Sequence, residues 1–453
     1  MKYLVKNKME LIIFYLVVVF ILLLSGFPVA FILAGVSLLF ALAGIFLGFF
    51  DYSFLMAFPN RLFGIMGNQN LLAVPLFIFM GLVLEKTKIA ENLISNMNVL
   101  FKKTNSGLGI SVVVVGALMA ASTGIVGASV VTLGLLTFPV LIKNGYSPSV
   151  AAGTICASGT LGQIIPPSLV LILLADVLSS SYQQAQLNIG IFSPESITIG
   201  DLFLGALIPG LILPILYILY LKTLKIKNLS SDEKQTLNLN SIIYPLSLII
   251  IVLGSIILGI ATPSEAAGLG ALGAIALSYL QNNLTKKTLD KCVYDSIKLT
   301  SMVFMILIGA TLFSLVFRGL GGEEFIHKFL IEMPNDKFVT LIIILLIMFL
   351  LGFILDFIEI TFIVIPLVGP ALFTLGFDPL WIGILIALVL QTSFITPPFG
   401  FSLFYLRGVL PDSVKTTEIY RGIIPFLFLQ LILVILVFMF PGLATYLPEV
   451  LFN

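Results

Sequence analysis

Charged residues are scarce in this sequence. Asp, Glu, Lys and Arg make up 10% of its 453 residues, against about a quarter in soluble domains. That scarcity excludes a solvated globular surface over most of the chain. An excess of either sign is also missing. The formal net charge is +1, which gives no basis for a nucleic-acid partner. The two cysteines, Cys156 and Cys292, lie in or beside apolar runs at no metal-ligand spacing and read as unpaired thiols. The single histidine, His327, leaves little scope for a metal site. No Gly-rich loop ends in Lys-Ser or Lys-Thr, so direct ATP drive has no support. No D-D-x-x-D cluster or His-Glu metal motif suggests a membrane enzyme.

Apolar residues are abundant. They form 59% of the chain, and the mean hydropathy is +1.17. A bilayer-spanning helix needs about 20 apolar residues. Apolar stretches fall near 10–25, 28–49, 69–85, 107–143, 149–182 and 202–222, then near 242–260, 264–281, 299–317, 338–375, 379–410 and 422–441. This predicts an all-α polytopic membrane protein. The start has a basic front and an apolar run like a signal peptide. The apolar pattern continues through 27–50 with no clear processing site, so a retained first span is expected.

Proline and glycine punctuate both halves in the same way. Pro139, Gly145, Pro148, Pro166 and Pro167 recur as Pro370, Gly376, Pro379, Pro397 and Pro398, all at one constant offset in the numbering. Gly-Tyr-Ser-Pro at 145–148 becomes Gly-Phe-Asp-Pro at 376–379. The simplest reading is a duplicated unit whose helix breaks at a Pro-Pro pair in each copy. Such breaks expose backbone where transporters bind ions and solutes.

The fourth stretch of each half is too long for one crossing and is interrupted by polar residues. Two arms of about 15 residues would each rise about 22 Å, short of a hydrocarbon core of about 30 Å. A re-entrant hairpin is therefore expected at 107–143 and again at 338–375. Five crossings and one hairpin per half make the second copy inverted. The expected organisation is a first inverted repeat over 1–222 with its broken helix at 149–182. A linker follows over 223–240, rich in Lys, Asn and Ser. The second repeat covers 241–453 with its broken helix at 379–410. Residues 86–103 and 319–336 read either as interfacial arm helices or as ordinary amphipathic connectors.

Lysine and arginine support this orientation. Loops expected on one side hold Lys86, Lys88, Lys102, Lys103, Lys143, Lys222, Lys225, Lys227, Lys234, Lys286, Lys287, Lys291, Lys298, Arg407, Lys415 and Arg421, most of the 23 basic residues. The loop 183–201, placed opposite, has none. The basic side is cytoplasmic by the positive-inside rule. Lys2, Lys6 and Lys8 run against this, because the N-terminus is then outside.

Candidate ligands cluster at the breaks and tips. Pro166 and Pro167 remove backbone donors, and Gly159 and Gly162 allow unwinding. The freed carbonyls and the Ser158 and Thr160 hydroxyls suit a small hard cation such as sodium. The second copy offers Gln391, Thr392, Ser393, Thr396, Pro397, Pro398 and Gly400. The first hairpin tip supplies Ser122, Thr123, Gly124, Gly127 and Ser129, although small residues also serve close helix packing. Asp356 and Glu359 lie near the second tip. A carboxylate at mid-membrane costs at least about 2.5 kcal/mol. Cation coordination or proton coupling would justify it, and the plainer alternative is a pair facing a water-filled crevice. Thr160, Asp356 and Thr396 are the sodium candidates. No catalytic residue and no cofactor is expected. Glu265, at a helix start, reads as a cap.

At these residues the chain resembles the large membrane subunit of tripartite ATP-independent periplasmic (TRAP) transporters. The strongest pieces are the runs at 153–168, 355–362, 390–401 and 261–266. Many relatives carry Gly-Ser-Gly at the first tip. Here it reads Thr123-Gly124-Ile125-Val126-Gly127-Ala128-Ser129, so tip ligands do not transfer one for one. The resemblance implies an elevator-type carrier in the bacterial inner membrane, surrounded by lipid and importing an organic acid with sodium. It implies two partners, a periplasmic solute-binding protein and a small four-helix membrane subunit. The small subunit is not expected within this chain, because the two repeats use all twelve units. The competing readings are a stand-alone secondary carboxylate or ion exchanger and, in another class, a membrane-embedded enzyme or structural subunit.

Overall fold

The computed structural model describes residues 2–87, 89–101, 104–123, 126–226, 237–331 and 336–452. Among them there are helices and turns but no strand. The first half runs α1 (Lys2–Leu23), α2 (Val29–Phe46), the short α3 (Ser53–Met56) and α4 (Phe58–Met66), and α5 (Ala73–Lys86). It continues with α6 (Ile89–Phe101), α7 (Gly107–Thr123), α8 (Val126–Lys143), α9 (Pro148–Thr160), α10 (Leu169–Asn188) and α11 (Ile199–Thr223). The second half runs α12 (Asn240–Ile257), α13 (Pro263–Leu280), α14 (Lys286–Gly319), α15 (Gly322–Ile331), α16 (Lys337–Leu351) and α17 (Phe357–Thr374). It ends with α18 (Pro379–Ile395), α19 (Phe401–Arg407), α20 (Thr416–Met439) and α21 (Gly442–Phe452). Eight helices among the described residues are long and apolar enough to cross a membrane. Shorter apolar helices lie at Gly107–Met119, Lys337–Leu351 and Pro379–Ile395.

The element order repeats. Helices α8 and α17 begin and end at the same offset that relates the proline pairs, and α9 and α18 begin at it. Helices α2 and α13, at corresponding places in the two halves, are both 18 residues long. Gly145 and Gly376, at matched positions, both take positive φ, +83° and +79°. This left-handed backbone ends α8 and α17 and is open to glycine without a Cβ clash. The next residues, Ser147-Pro148 and Asp378-Pro379, start the following helices, with Ser147 accepting from the Val150 N–H at 3.3 Å. Glu265 caps α13, as its position suggests: the Thr262 N–H donates to Glu265 Oε2 at 2.8 Å, and the Glu265 N–H donates to Thr262 Oγ1 at 3.3 Å.

The chain divides into two compact units that do not follow the sequence halves. The first comprises residues 1–71, 176–197 and 298–379. Tyr15 is fully buried there. Its ring lies 5.0 Å from Phe40 and 5.3 Å from Phe313, centroid to centroid, and its hydroxyl shares a 2.6 Å hydrogen bond with Ser37. Burying a phenol is favourable when both its apolar body and its polar tip are satisfied in this way. Gly309 lets α14 cross α2 closely, since a Cβ there would sit 2.6 Å from the Ala30 carbonyl oxygen. Within this unit α16 and α15 both pack on α17.

The second unit comprises residues 72–175, 198–297 and 380–453. Its centre is α9, which packs against α7, α8, α19 and α20. Ala151, Ala152, Gly153, Ile155, Cys156 and Ala157 are all buried. This run of small residues lets neighbouring backbones approach, the usual basis of helix association in lipid. A Cβ on Gly153 would sit 2.1 Å from the Gly422 carbonyl oxygen, and one on Gly422 would sit 1.8 Å from that of Ser149. Lys86 pairs with Asp295 in the same unit.

Candidate functional site

Both Pro-Pro pairs break their helices, by different routes. Helix α9 ends at Thr160 and passes through a single 3₁₀ turn, Leu161–Gln163, before Pro166 and Pro167. Helix α18 runs past Gln391, the position matched to Thr160, and continues to Ile395. The sequence explains the difference. Gly159 and Gly162 correspond to Leu390 and Ser393, which do not carry glycine's cost in a helix interior. Beyond the prolines the copies differ again, with α10 running 20 residues and α19 only seven. Both prolyl pairs are joined by cis peptide bonds.

One carbonyl position is treated alike in both copies. Ser168 Oγ donates to the Gln163 carbonyl oxygen at 3.0 Å, and Ser402 Oγ donates to that of Phe394 at 2.9 Å. Gln163 and Phe394 are matched positions of the two copies. A serine from beyond each proline pair thus satisfies a carbonyl at each break. In the second copy Tyr420 also donates from its hydroxyl to the Pro398 carbonyl oxygen at 3.1 Å. Gly400 allows the chain to fold back, since a Cβ would meet the Phe394 carbonyl oxygen at 2.5 Å.

The hydroxyls named at the two breaks, those of Ser158, Thr160, Thr392, Ser393 and Thr396, point back along their helices, and all but the half-buried Thr396 are buried. Ser158 Oγ donates to the Thr154 carbonyl at 2.6 Å and Thr160 Oγ1 to that of Ala157 at 3.0 Å. Thr392, Ser393 and Thr396 donate to the carbonyls of Leu388, Leu390 and Thr392, each at 2.7 Å. A hydroxyl has one proton and two lone pairs. With the proton spent on the helix, the oxygen presents lone pairs only. That polarity suits a cation and disfavours an anion.

Helices α7 and α8 pack directly on the first break. A Cβ on Gly159 would sit 2.4 Å from Val130 Cγ2, and one on Gly116 would sit 2.8 Å from the Ser158 carbonyl oxygen. Gly127 lies under the Tyr405 ring, and Ser129 is buried on α8. Gly162 lies in the 3₁₀ turn. Gly124 lies outside the described residues, as do the side chains of Ser122 and Thr123, which end α7. The His327 side chain and residues 227–236 of the linker also lie outside them.

Asp356 and Glu359 form a capping box at the start of α17. The Phe357 N–H donates to Asp356 Oδ1 at 2.7 Å, and the Asp356 N–H donates to Glu359 Oε2 at 3.1 Å. The matched residues of the first copy, Ile125 and Ala128, offer no carboxylate. A half-open cavity of about 520 Å³ in the first unit lies elsewhere, lined by Asn188, Glu323, Glu324, Pro366 and Pro370 among others. Its lining includes none of the sequence candidates.

Gln163 is not among the residues named from the sequence. It is 1% exposed, and neither its amide oxygen nor its amide nitrogen has a partner. Gln391, a sequence candidate, is fully buried with its amide equally unpartnered. Buried side-chain amides are ordinarily hydrogen-bonded. The signal was present in the sequence, since a polar side chain just before a membrane Pro-Pro needs a reason.

Known proteins bear on this geometry. The chain is 29% identical to the C4-dicarboxylate TRAP transporter large permease protein DctM of Vibrio cholerae, over 85% of this chain and 87% of that one. It is 25% identical to the isethionate TRAP transporter permease protein DctMQ of Oleidesulfovibrio alaskensis, over 84% of this chain and 57% of that one. These relatives are transporter subunits rather than enzymes. The fold is similar to the crystal structure of the Alcanivorax borkumensis YdaH transporter, with a TM-score of 0.64 at 16% identity, covering 85% of this chain and 87% of that one. The family model for the tripartite ATP-independent periplasmic transporter, DctM component, matches residues 16–443, and the chain belongs to that family.

Proposed function

We propose that this large permease subunit imports a small organic acid together with sodium, receiving the acid from a periplasmic binding protein. One observation carries the reading. Two broken helices in an otherwise apolar chain hold hydroxyls whose protons are engaged along the helix, leaving oxygen lone pairs as the available chemistry. Oxygen ligands of this kind suit a hard monovalent cation that must be released again. Thr160 and Thr396 supply hydroxyls at the two breaks, and Asp356 adds a carboxylate near the second tip. Sodium is the coupling ion, and no further cofactor is needed.

The repeated element order supports two repeats of opposite orientation working by an elevator step. A small four-helix membrane subunit completes the assembly in the bacterial inner membrane. In support, the isethionate relative DctMQ extends well beyond the matched region, leaving room for a second component. Reconstitution tests this. Radiolabelled organic acids are offered to proteoliposomes containing this chain, its small subunit and the binding protein encoded beside it. Uptake is expected only with an inward sodium gradient and all three proteins. Uptake by this chain alone would establish a stand-alone carrier, and transport driven equally by potassium would end the sodium assignment.

A further inference from the structure

Three buried glutamines, Gln163, Gln391 and Gln430, have amides without partners, and the first two lie ahead of the Pro-Pro pairs. Both belong to the second unit, and each precedes a Pro-Pro pair in its own broken helix. Both are buried with all four amide atoms unpartnered. Their backbones leave the side chains unrelieved. The Gln163 carbonyl already accepts from Ser168, while Gln391 lies within the last turns of α18 before the break. An unpaired buried polar group is costly and persists when something else satisfies it.

The primary amide suits a pair of ligands of opposite charge. Its oxygen only accepts and its nitrogen only donates. A sodium ion satisfies the oxygen and leaves the nitrogen orphaned. A carboxylate satisfies the nitrogen and leaves the oxygen orphaned. Both together satisfy the whole group, so each ligand lowers the cost of binding the other.

Resting on the sodium-coupled reading above, we propose that the Gln163 and Gln391 amides are where coupling cation and solute carboxylate meet, with oxygen ligating the cation and nitrogen donating to the carboxylate. The two glutamines are then coupling residues. Their amides convert simultaneous occupancy into a binding preference, and the coupling acts equally in both directions.

Thermal melts of the purified full-length chain test this in detergent at constant ionic strength. Four conditions are compared: sodium chloride, potassium chloride, sodium succinate and potassium succinate. Succinate is the carboxylate probe. Wild type is expected to be stabilised by sodium over potassium, and by sodium succinate beyond the sum of the separate effects. Gln163→Met and Gln391→Met keep the side-chain length and remove the amide. Each should melt higher than wild type in potassium chloride, because an orphaned group is gone. Each should also shift the sodium midpoint upward at least tenfold and lose the joint effect. Gln163→Glu and Gln391→Glu keep an oxygen and lose the donor, so the sodium response should remain and the succinate increment vanish. A merely structural glutamine would give the opposite pattern, with Met variants less stable and sodium midpoints unchanged, and would overturn the proposal. Purely additive sodium and succinate effects in wild type would overturn it as well. If wild type does not distinguish sodium from potassium, the sodium reading beneath it fails too, which separates the two failures.

Discussion

A carboxylate at the start of a helix can satisfy backbone N–H groups or hold a cation, and Asp356 allows the two uses to be separated. Its Oδ1 accepts from the Phe357 N–H, and Glu359 accepts in turn from the Asp356 N–H. Replacing an N-cap Asp by Ala costs about 0.5–2 kcal/mol, whereas Asn caps nearly as well. Asp356→Ala should therefore melt lower than wild type, and Asp356→Asn should not. Both should need more sodium for half-maximal uptake if the carboxylate also ligates the ion, because both remove its charge. A wild-type sodium curve for Asp356→Asn would leave Asp356 as a cap alone. The sequence places Asp356 and Glu359 at a hairpin tip, but their mutual hydrogen bonding depends on where α17 begins. Gln163 is legible only in part: its polarity ahead of the Pro-Pro pair is visible in the sequence, but its lack of partners is a property of everything packed around it.

Helix breaks follow from local chemistry, so they are the elements most legible in the sequence. Proline removes a donor, glycine lowers the cost of unwinding, and both are visible as letters. The stretches 107–143 and 338–375 each hold two helices, α7 and α8 in the first and α16 and α17 in the second, and helices end before both Pro-Pro pairs. Less legible was the unequal unwinding, because it depends on what replaces Gly159 and Gly162 in the second copy. Gly159 has a second constraint from packing. A methyl group there would lie 2.4 Å from Val130 Cγ2 and 3.1 Å from Val130 Cα. Gly159→Ala should push α8 off α9, with an overpacking cost of about 1–3 kcal/mol. The expected result is a lower melting temperature in detergent and reduced uptake. Gly153→Ala should be more severe, because the obstructing atom is the Gly422 carbonyl oxygen of α20, which cannot rotate away. At Gly190, by contrast, a Cβ meets nothing within 4 Å, although its φ of +88° strains any other residue. Comparing the three alanine variants by thermal melt separates clash from backbone strain. Equal losses at 153, 159 and 190 would contradict the packing account.

Membrane sidedness belongs to the whole chain, and basic residues are its main sequence signal. An inverted second repeat puts the loop around Ser193 outside and the start of α14 at Lys287 inside, as the distribution of lysine and arginine requires. Both positions are exposed. The two native cysteines make a direct measurement feasible. Cys156 and Cys292 are fully buried, their thiols donating to the carbonyls of Ser402 and Leu82, each at 3.6 Å. Neither should react with a bulky maleimide in the folded protein. Ser193→Cys and Lys287→Cys can therefore be labelled in the native background. In intact cells a membrane-impermeant maleimide should modify Ser193→Cys and spare Lys287→Cys, which should react only after the membrane is opened. Labelling of both from outside would mean that an even number of crossings separates them. The second half would then not be inverted, and the matched Pro-Pro breaks would open toward one side of the bilayer instead of two. Unlike the Lys2, Lys6 and Lys8 cluster, which argues against an external N-terminus by composition alone, this experiment counts crossings through α11 to α13. Its outcome decides whether the repeated element order reflects two halves that alternate or one half copied in place.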